Sequence, residues 1–169
     1  LKSSIKEFSL LAGKQQDLRL SAKGGITFSD FNKDEFIDSM RLNINFSSPQ
    51  TSQFASFVGK ELPELGPING TFTLQGNHKQ LQAKKINIQS GSPNEVQIRA
   101  KGNVRNISMK TKPLAAGINL QLTATAAATD KRSPLLGIDL PDIGRLHGNA
   151  ELSDQDGSLG IEKLTISTE

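Results

Sequence analysis

The chain has 169 residues, of which 35% are apolar and 22% charged, and its 20 basic and 17 acidic side chains give a formal net charge of +3. This size suits one domain or a short series of repeats, and the near balance of charge argues against a disordered polyelectrolyte. Cysteine, tyrosine and tryptophan are absent, which excludes disulfides, thiolate metal ligands and Tyr or Trp stacking on bases. We therefore expect no nucleic-acid partner.

Alternation of apolar and polar residues runs through the chain and predicts β-strands. A period of two places all apolar side chains of a strand on one face. The segments Leu42–Phe46 and Ile118–Leu122 show it most clearly, and Gly or Asn clusters separate one run from the next. The predicted strands, in chain order, are 5–11, 16–28, 39–47, 67–76, 79–89, 94–107, 116–126, 145–153 and 158–167.

One segment departs from the alternation and predicts a short helix. Within 49–60, Phe54, Phe57 and Val58 are spaced i, i+3, i+4, which forms one apolar stripe behind a Thr or Ser cap. A second, looser turn of helix is predicted at 129–137.

The sequence repeats itself at an offset of 78 residues. Asp17–Gly24 aligns without gaps on Glu95–Gly102, and Leu62–Gly66 aligns on Leu140–Gly144. In a repeat protein each copy of the repeat forms one structural unit, so we expect each 78-residue copy to form a unit of about four strands. We expect a segment of a larger protein, made of a partial unit, a complete unit and a second partial unit: 1–48, 49–126 and 127–169.

These motifs resemble the AsmA family of Gram-negative envelope proteins. The resemblance depends on a short helix followed by Leu-Pro-Glu-Leu-Gly-Pro at Leu62–Pro67 and then by the strand Ile68–Leu74. The second copy keeps Leu140–Gly144 but has Arg145 in place of the last proline. Both copies together cover essentially the whole chain.

The resemblance implies a periplasmic location, as part of a protein anchored in the inner membrane through segments not present here. It also implies a bridge-like lipid transfer function, in which phospholipids move between the inner and outer membranes along a β-rich groove. Such a groove is apolar inside and polar outside.

The residues themselves point to the same fold class. It is mainly β, an elongated twisted sheet of repeated antiparallel strands with one short helix per unit, curled into a groove. An apolar sheet face must be covered by another sheet, a helix or a ligand, and acyl chains are suitable ligands because their burial is favourable without directional contacts. The residues predicted to line the groove are Leu18, Leu20, Leu42, Ile44, Phe46, Phe72, Leu74, Ile86, Ile88, Val96, Ile98, Leu120, Leu122, Leu152, Leu164 and Ile166.

Candidate metal sites are incomplete. Asp30–Asp34 has the D-x-N-x-D start of a calcium loop, but Glu35 replaces the required glycine and Arg41 replaces the bidentate glutamate. Asp154–Gly157 suits a hairpin tip instead. We predict no metal, no cofactor and no catalytic residue, so the chain is expected not to be an enzyme.

The histidines and the basic residues are most simply surface groups. His78 and His147 do not match under the repeat offset and do not form a ligand spacing. A solvated sheet face explains the basic residues in the middle of the chain, with weak contact with lipid headgroups as the alternative reading. These basic residues are Lys79, Lys84, Lys85, Arg99, Lys101 and Arg105.

Two other functions remain open at this point. In the first, the repeats form a structural spacer or a scaffold for the assembly of outer-membrane proteins, with the apolar face packed into a closed β core. An adhesin-like β module is the second. In any of these, unpaired strand edges could pair with a second copy and form a dimer.

Overall fold

In the computed structural model, nine antiparallel strands form one open sheet in which each strand pairs with its neighbours in sequence. The structure describes residues 2–13, 17–29, 37–54, 64–108, 115–127, 144–154 and 158–168. The strands are β1 Ser3–Ala12, β2 Arg19–Phe28, β3 Ile37–Ser48, β4 Ile68–Gly76, β5 Leu81–Gly91, β6 Val96–Ile107, β7 Ala115–Ala126, β8 Leu146–Ser153 and β9 Gly160–Thr168.

The mainly β prediction is confirmed, and each predicted strand corresponds to an observed one. The boundaries differ by up to three residues. β5 begins at Leu81 instead of residue 79, because Asn77 Oδ1 accepts hydrogen bonds from the backbone N–H groups of Lys79 (2.9 Å) and Gln80 (3.0 Å). An Asn side chain that bonds the backbone two or three residues ahead forms a tight turn.

Helix is nearly absent from the described residues. A single 3-10 turn, Thr51–Phe54, lies at the start of the first predicted helix. Phe57 and Val58, which define the predicted apolar stripe, lie outside the described residues, as does the second predicted helical segment, 129–137.

A β-bulge interrupts β5 at Lys85. This residue has a φ of 55°, and β5 carries one more residue there than either neighbouring strand. The Lys85 N–H donates a hydrogen bond to Asn103 Oδ1 at 3.2 Å. Bulges increase the local twist of a sheet, and the sequence contains no pattern that predicted this one.

Two strand glycines allow close approach of neighbouring backbones. Gly24 and Gly102 have φ values of 157° and 152°, a region that other residues rarely adopt. A Cβ atom at Gly24 would lie 1.9 Å from the Arg41 carbonyl oxygen, and one at Gly102 would lie 2.0 Å from that of Asn119. Only glycine fits at either position.

The strand register recurs along the chain. Leu20 lies opposite Phe46 in the β2–β3 pair, and Ile98 lies opposite Ala124 in the β6–β7 pair, with 78 added to both numbers. The β3–β4 and β7–β8 pairings are related in the same way.

Few apolar side chains are fully buried. Within the described residues these are Ala22, Leu42 and Ala83, whereas six polar residues are buried. Because every described strand belongs to the same sheet, no second described layer packs on either face. The apolar face therefore has no second described sheet over it, and the 3-10 turn packs on one end of it, where Thr51 contacts Ser90.

Polar contacts hold the 3-10 turn against the sheet. The Thr51 hydroxyl donates to the Gly66 carbonyl oxygen at 2.9 Å and lies 3.1 Å from Ser90 Oγ, which must then be the donor in that contact. The Glu64 carboxylate accepts the N–H groups of Thr51 (3.2 Å), Ser52 (3.2 Å) and Gly66 (2.9 Å). These bonds satisfy the free N–H groups at the start of the turn.

Protonation of Glu64 is expected to weaken this attachment. Hydrogen bonds from the Ser52 hydroxyl and from the Gly66, Ser52 and Thr51 N–H groups lower its pKa below 4.5, while desolvation opposes the shift. A lowered folded-state pKa means that the stabilisation is present above the unfolded pKa and is lost as pH falls through the folded value.

At pH 7, Glu64→Gln should therefore unfold at a lower urea concentration than the parent. Its free energy of unfolding should be lower by about 1 kcal/mol or less, because the Glu64 side chain is exposed. The difference should shrink as the pH falls through the lowered pKa of the Glu64 carboxyl. Urea unfolding of both proteins at pH 7 and at a series of acidic pH values tests this, and a difference independent of pH would contradict it.

Candidate functional site: the apolar face of the sheet

Large apolar side chains of β2, β3 and β4 lie directly opposite one another. Phe46 pairs with Leu20 on one side, and Ile44 pairs with Phe72 on the other. Opposite residues in antiparallel strands project from the same face of the sheet, so these side chains form one apolar surface. Period-two alternation then repeats this arrangement along each strand.

The same surface continues through the second half of the sheet. Ile88 lies opposite Ala100, which lies opposite Leu122, and Leu122 lies opposite Ala150. Ala150 in turn lies opposite Leu164 on β9. One row of apolar residues thus crosses five strands without a polar interruption.

The structure brings fifteen of the sixteen predicted groove residues onto this face. Leu18 is the exception, because it precedes β2 and has no cross-strand partner there. Leu42 is buried, Leu20 is 36% exposed, and Leu164 and Ile166 on the edge strand are 59% and 65% exposed. The remaining members are half-buried: Ile44, Phe46, Phe72, Leu74, Ile86, Ile88, Val96, Ile98, Leu120, Leu122 and Leu152.

Sequence reasoning missed the small residues of the face. Ala22, Gly70, Ala83, Ala100 and Gly148 lie between the large side chains in the cross-strand rows. They continue the same period of two, so extending the alternation through small residues would have found them.

Gly70 shows why a small residue lies within this surface. A Cβ atom there would lie 2.6 Å from the Phe46 ring and 2.9 Å from the Ile88 side chain. The two larger side chains therefore lean over the glycine and close the gap between strands. At Gly148, 78 residues later, the nearest atom would be Ala124 Cβ at 3.8 Å, so the face is more open there.

The acidic segments do not assemble a metal site within the described residues, where no group of three ligating side chains occurs. Asp30–Asp34 and Glu35 lie outside the described residues, and Arg41 is an exposed residue of β3. The Asp154 carboxylate instead accepts the backbone N–H groups of Gly117 (2.8 Å) and Ile118 (2.7 Å) at the start of β7.

The two histidines lie apart and serve no common site. His78 is in the β4–β5 turn, where Nδ1 lies 2.9 Å from the Ile37 carbonyl oxygen. His147 is on β8, opposite Thr125 and Ser167.

Two shallow depressions lie over the polar face, the side of the sheet opposite the apolar surface. One, of about 560 Å³, lies over β1 to β4 and includes Arg19, Lys23 and Asn45. The other, of about 370 Å³, lies over β7 to β9 and includes Glu151 and Lys163. Polar-face residues form most of both linings, and of the predicted groove residues Phe46 and Leu122 also contribute.

No family model, curated protein or solved structure matches this chain. None of the helices in the described residues is long and apolar enough to cross a membrane.

Proposed function

We propose that the chain is a non-enzymatic segment of a lipid conduit, in which the apolar face of the sheet binds phospholipid acyl chains. The carrying observation is that rows of apolar residues cross neighbouring strands of one sheet, without a second described sheet over them. An exposed apolar surface of this extent marks a binding site. Acyl chains fit it because each buried methylene contributes about 0.8 kcal/mol without a directional contact.

The proposal includes the AsmA-like setting that the sequence motifs imply. The segment would lie in the periplasm, within a protein anchored in the inner membrane, and would pass phospholipid between the inner and outer membranes. Acyl chains would move along the cross-strand rows of apolar residues, because a uniformly apolar face binds every methylene group about equally well.

We further propose that the sheet is built from 78-residue units of four strands and is coiled into a trough. Three observations support the unit. The cross-strand pairs recur at that spacing, the bulge between Ile5 and Phe8 recurs between Ala83 and Ile86, and three pairs of glycines with positive φ recur. These pairs are Gly13 and Gly91, Gly24 and Gly102, and Gly66 and Gly144. Sheet twist and the bulges favour coiling.

A closed spacer or scaffold is less consistent with the observed burial. A packed β core needs a second layer that buries the large side chains of the inner face. Among the described residues, however, the central apolar side chains such as Ile44 and Leu122 are half-buried, and the edge strand is exposed along its length.

Lipid bound to the purified protein tests the proposal. The chain, purified without detergent, should carry phospholipid visible by native mass spectrometry and by organic extraction. Protein stripped of lipid should bind added lysophospholipid saturably, since its single acyl chain needs only the apolar face. A protein that carries no phospholipid and takes up no lysophospholipid would show the proposal to be wrong.

A further inference from the structure

The charges on the polar face are strongly unbalanced. From β2 to β7, every charged residue of a strand is basic except Asp38, and Asp38 Oδ2 lies 3.1 Å from Lys2 Nζ. The chain as a whole is nearly balanced, with 20 basic and 17 acidic residues. The imbalance is therefore a property of these strands.

Seven of these basic residues form two groups, which we name the basic array. The two groups lie on either side of β4, which has no charged residue. The first group, on β2 and β3, consists of Arg19, Lys23 and Arg41. On the other side, on β5 and β6, lie Lys84, Arg99, Lys101 and Arg105. All seven are exposed.

The cross-strand partners given for the array residues are neutral. Lys84 lies opposite Thr73, and Lys101 lies opposite Asn87. Among the described residues, no carboxylate forms an ion pair with a member of the array. Seven like charges whose cross-strand partners are neutral repel one another, and an anionic partner would relieve this repulsion.

The dimensions of the array favour a flat partner. From β2 to β6 it spans four strand spacings, about 19 Å, and Arg99 and Arg105 are separated by about 20 Å along β6. A linear polyanion is matched by basic residues arranged in a single line, whereas the basic array is as wide as it is long. A lipid leaflet presents its headgroup charges in two dimensions.

The scarcity of aromatic rings separates this surface from a nucleic-acid site. Phe8, Phe28, Phe46 and Phe72 alternate with the polar-face residues and belong to the apolar side. Among the described strand residues of the polar face, one ring is present, that of His147 on β8, which lies outside the strands of the basic array, so successive bases would find no series of rings to stack on.

We propose that the basic array docks the sheet on the surface of a membrane that contains anionic phospholipid. This role is separate from acyl-chain binding, because it uses the opposite face and the headgroup charge. The interaction is long-range and weakens when salt shortens the screening length.

Sedimentation with vesicles tests the docking. The protein should bind vesicles of phosphatidylcholine mixed with phosphatidylglycerol and should bind pure phosphatidylcholine much more weakly. Salt at 1 M, where the screening length is about 3 Å, should abolish the difference. The double variant Arg99→Gln/Lys101→Gln should lower the partition coefficient at least tenfold, since each basic residue near an anionic surface contributes about fivefold.

Lys6→Gln/Lys163→Gln is the matched control. It removes the same net charge from exposed positions on β1 and β9, outside the array, and should change binding less than threefold. Circular dichroism should show that both double variants are folded.

Three results would overturn the docking proposal. One is an equal loss in the two double variants, which would indicate net charge alone. Another is loss of vesicle binding in Ile44→Asp but not in Arg99→Gln/Lys101→Gln, which would assign the binding to the apolar face. The third is tighter binding to soluble polyphosphate than to the anionic vesicles, which would indicate a linear polyanion. None of these results depends on whether the purified protein carries lipid.

Discussion

Gly102→Ala is expected to destabilise the sheet by about 3 kcal/mol or more. The new Cβ atom would lie 2.0 Å from the Asn119 carbonyl oxygen and 3.0 Å from Leu120 Cα, and the residue would have to keep a φ of 152°. Backbone strain of this kind costs about 1–3 kcal/mol, and overpacking adds a similar amount. Because both contacts involve backbone atoms, no side-chain movement can relieve them. Gly24→Ala should destabilise the sheet by a similar amount.

Gly148→Ala is the matched control. Gly148 is also in a strand interior, but it has no positive φ, and its Cβ would meet Ala124 Cβ at an ordinary 3.8 Å. We expect its free energy of unfolding to change by less than about 1 kcal/mol, because alanine restricts the unfolded chain and so offsets part of any loss in the folded state. Urea unfolding and thermal melting compare the variants. Equal midpoints for Gly102→Ala and Gly148→Ala would refute the strained-glycine account.

Aspartate on the apolar face is expected to remove bound lipid. Ile44→Asp and Leu122→Asp each place a carboxylate in the middle of a half-buried apolar row, beside Phe72 and Ala100 respectively. A charged group cannot lie against an acyl chain without losing its water, so the phospholipid content per protein should fall at least about fivefold. Mass spectrometry of extracted lipid gives this ratio.

Asn45→Asp is the control for Ile44→Asp. Asn45 is the next residue on β3, projects to the polar face and is exposed, so the substitution adds the same charge on the other side of the sheet. Its lipid content should be unchanged. If both variants lose lipid equally while remaining folded, the apolar face is not the binding surface.

The strands and their two faces could be predicted because both follow from local alternation. β3 shows this well: Leu42, Ile44 and Phe46 alternate with Asn43 and Asn45, and the structure separates them onto opposite faces as expected. The acyl-chain hypothesis and the choice of groove residues came from the same pattern together with the family resemblance. The lipid role itself stays a prediction.

Other features could not be predicted from local pattern. The bulge at Lys85 and the close approach at Gly102 arise from how β5 and β6 meet their neighbours, and nothing in their own sequence marks them. Helical spacing predicts the first helical segment, 49–60, and the repeat predicts the second, 129–137. The structure has a 3-10 turn at Thr51–Phe54, held by contacts with Glu64 and Ser90 from distant parts of the chain.

By itself, the sequence determined which residues form strands and which side chains share a face, because a period of two is a property of each strand alone. Only the tertiary structure decided that the nine strands form one meander, that their apolar rows meet in register, and that the described face lacks a second layer. It also decided that basic residues far apart in sequence lie together on the polar face. These outcomes depend on pairing between distant segments, and the free energy of that pairing comes from contacts that no single strand contains.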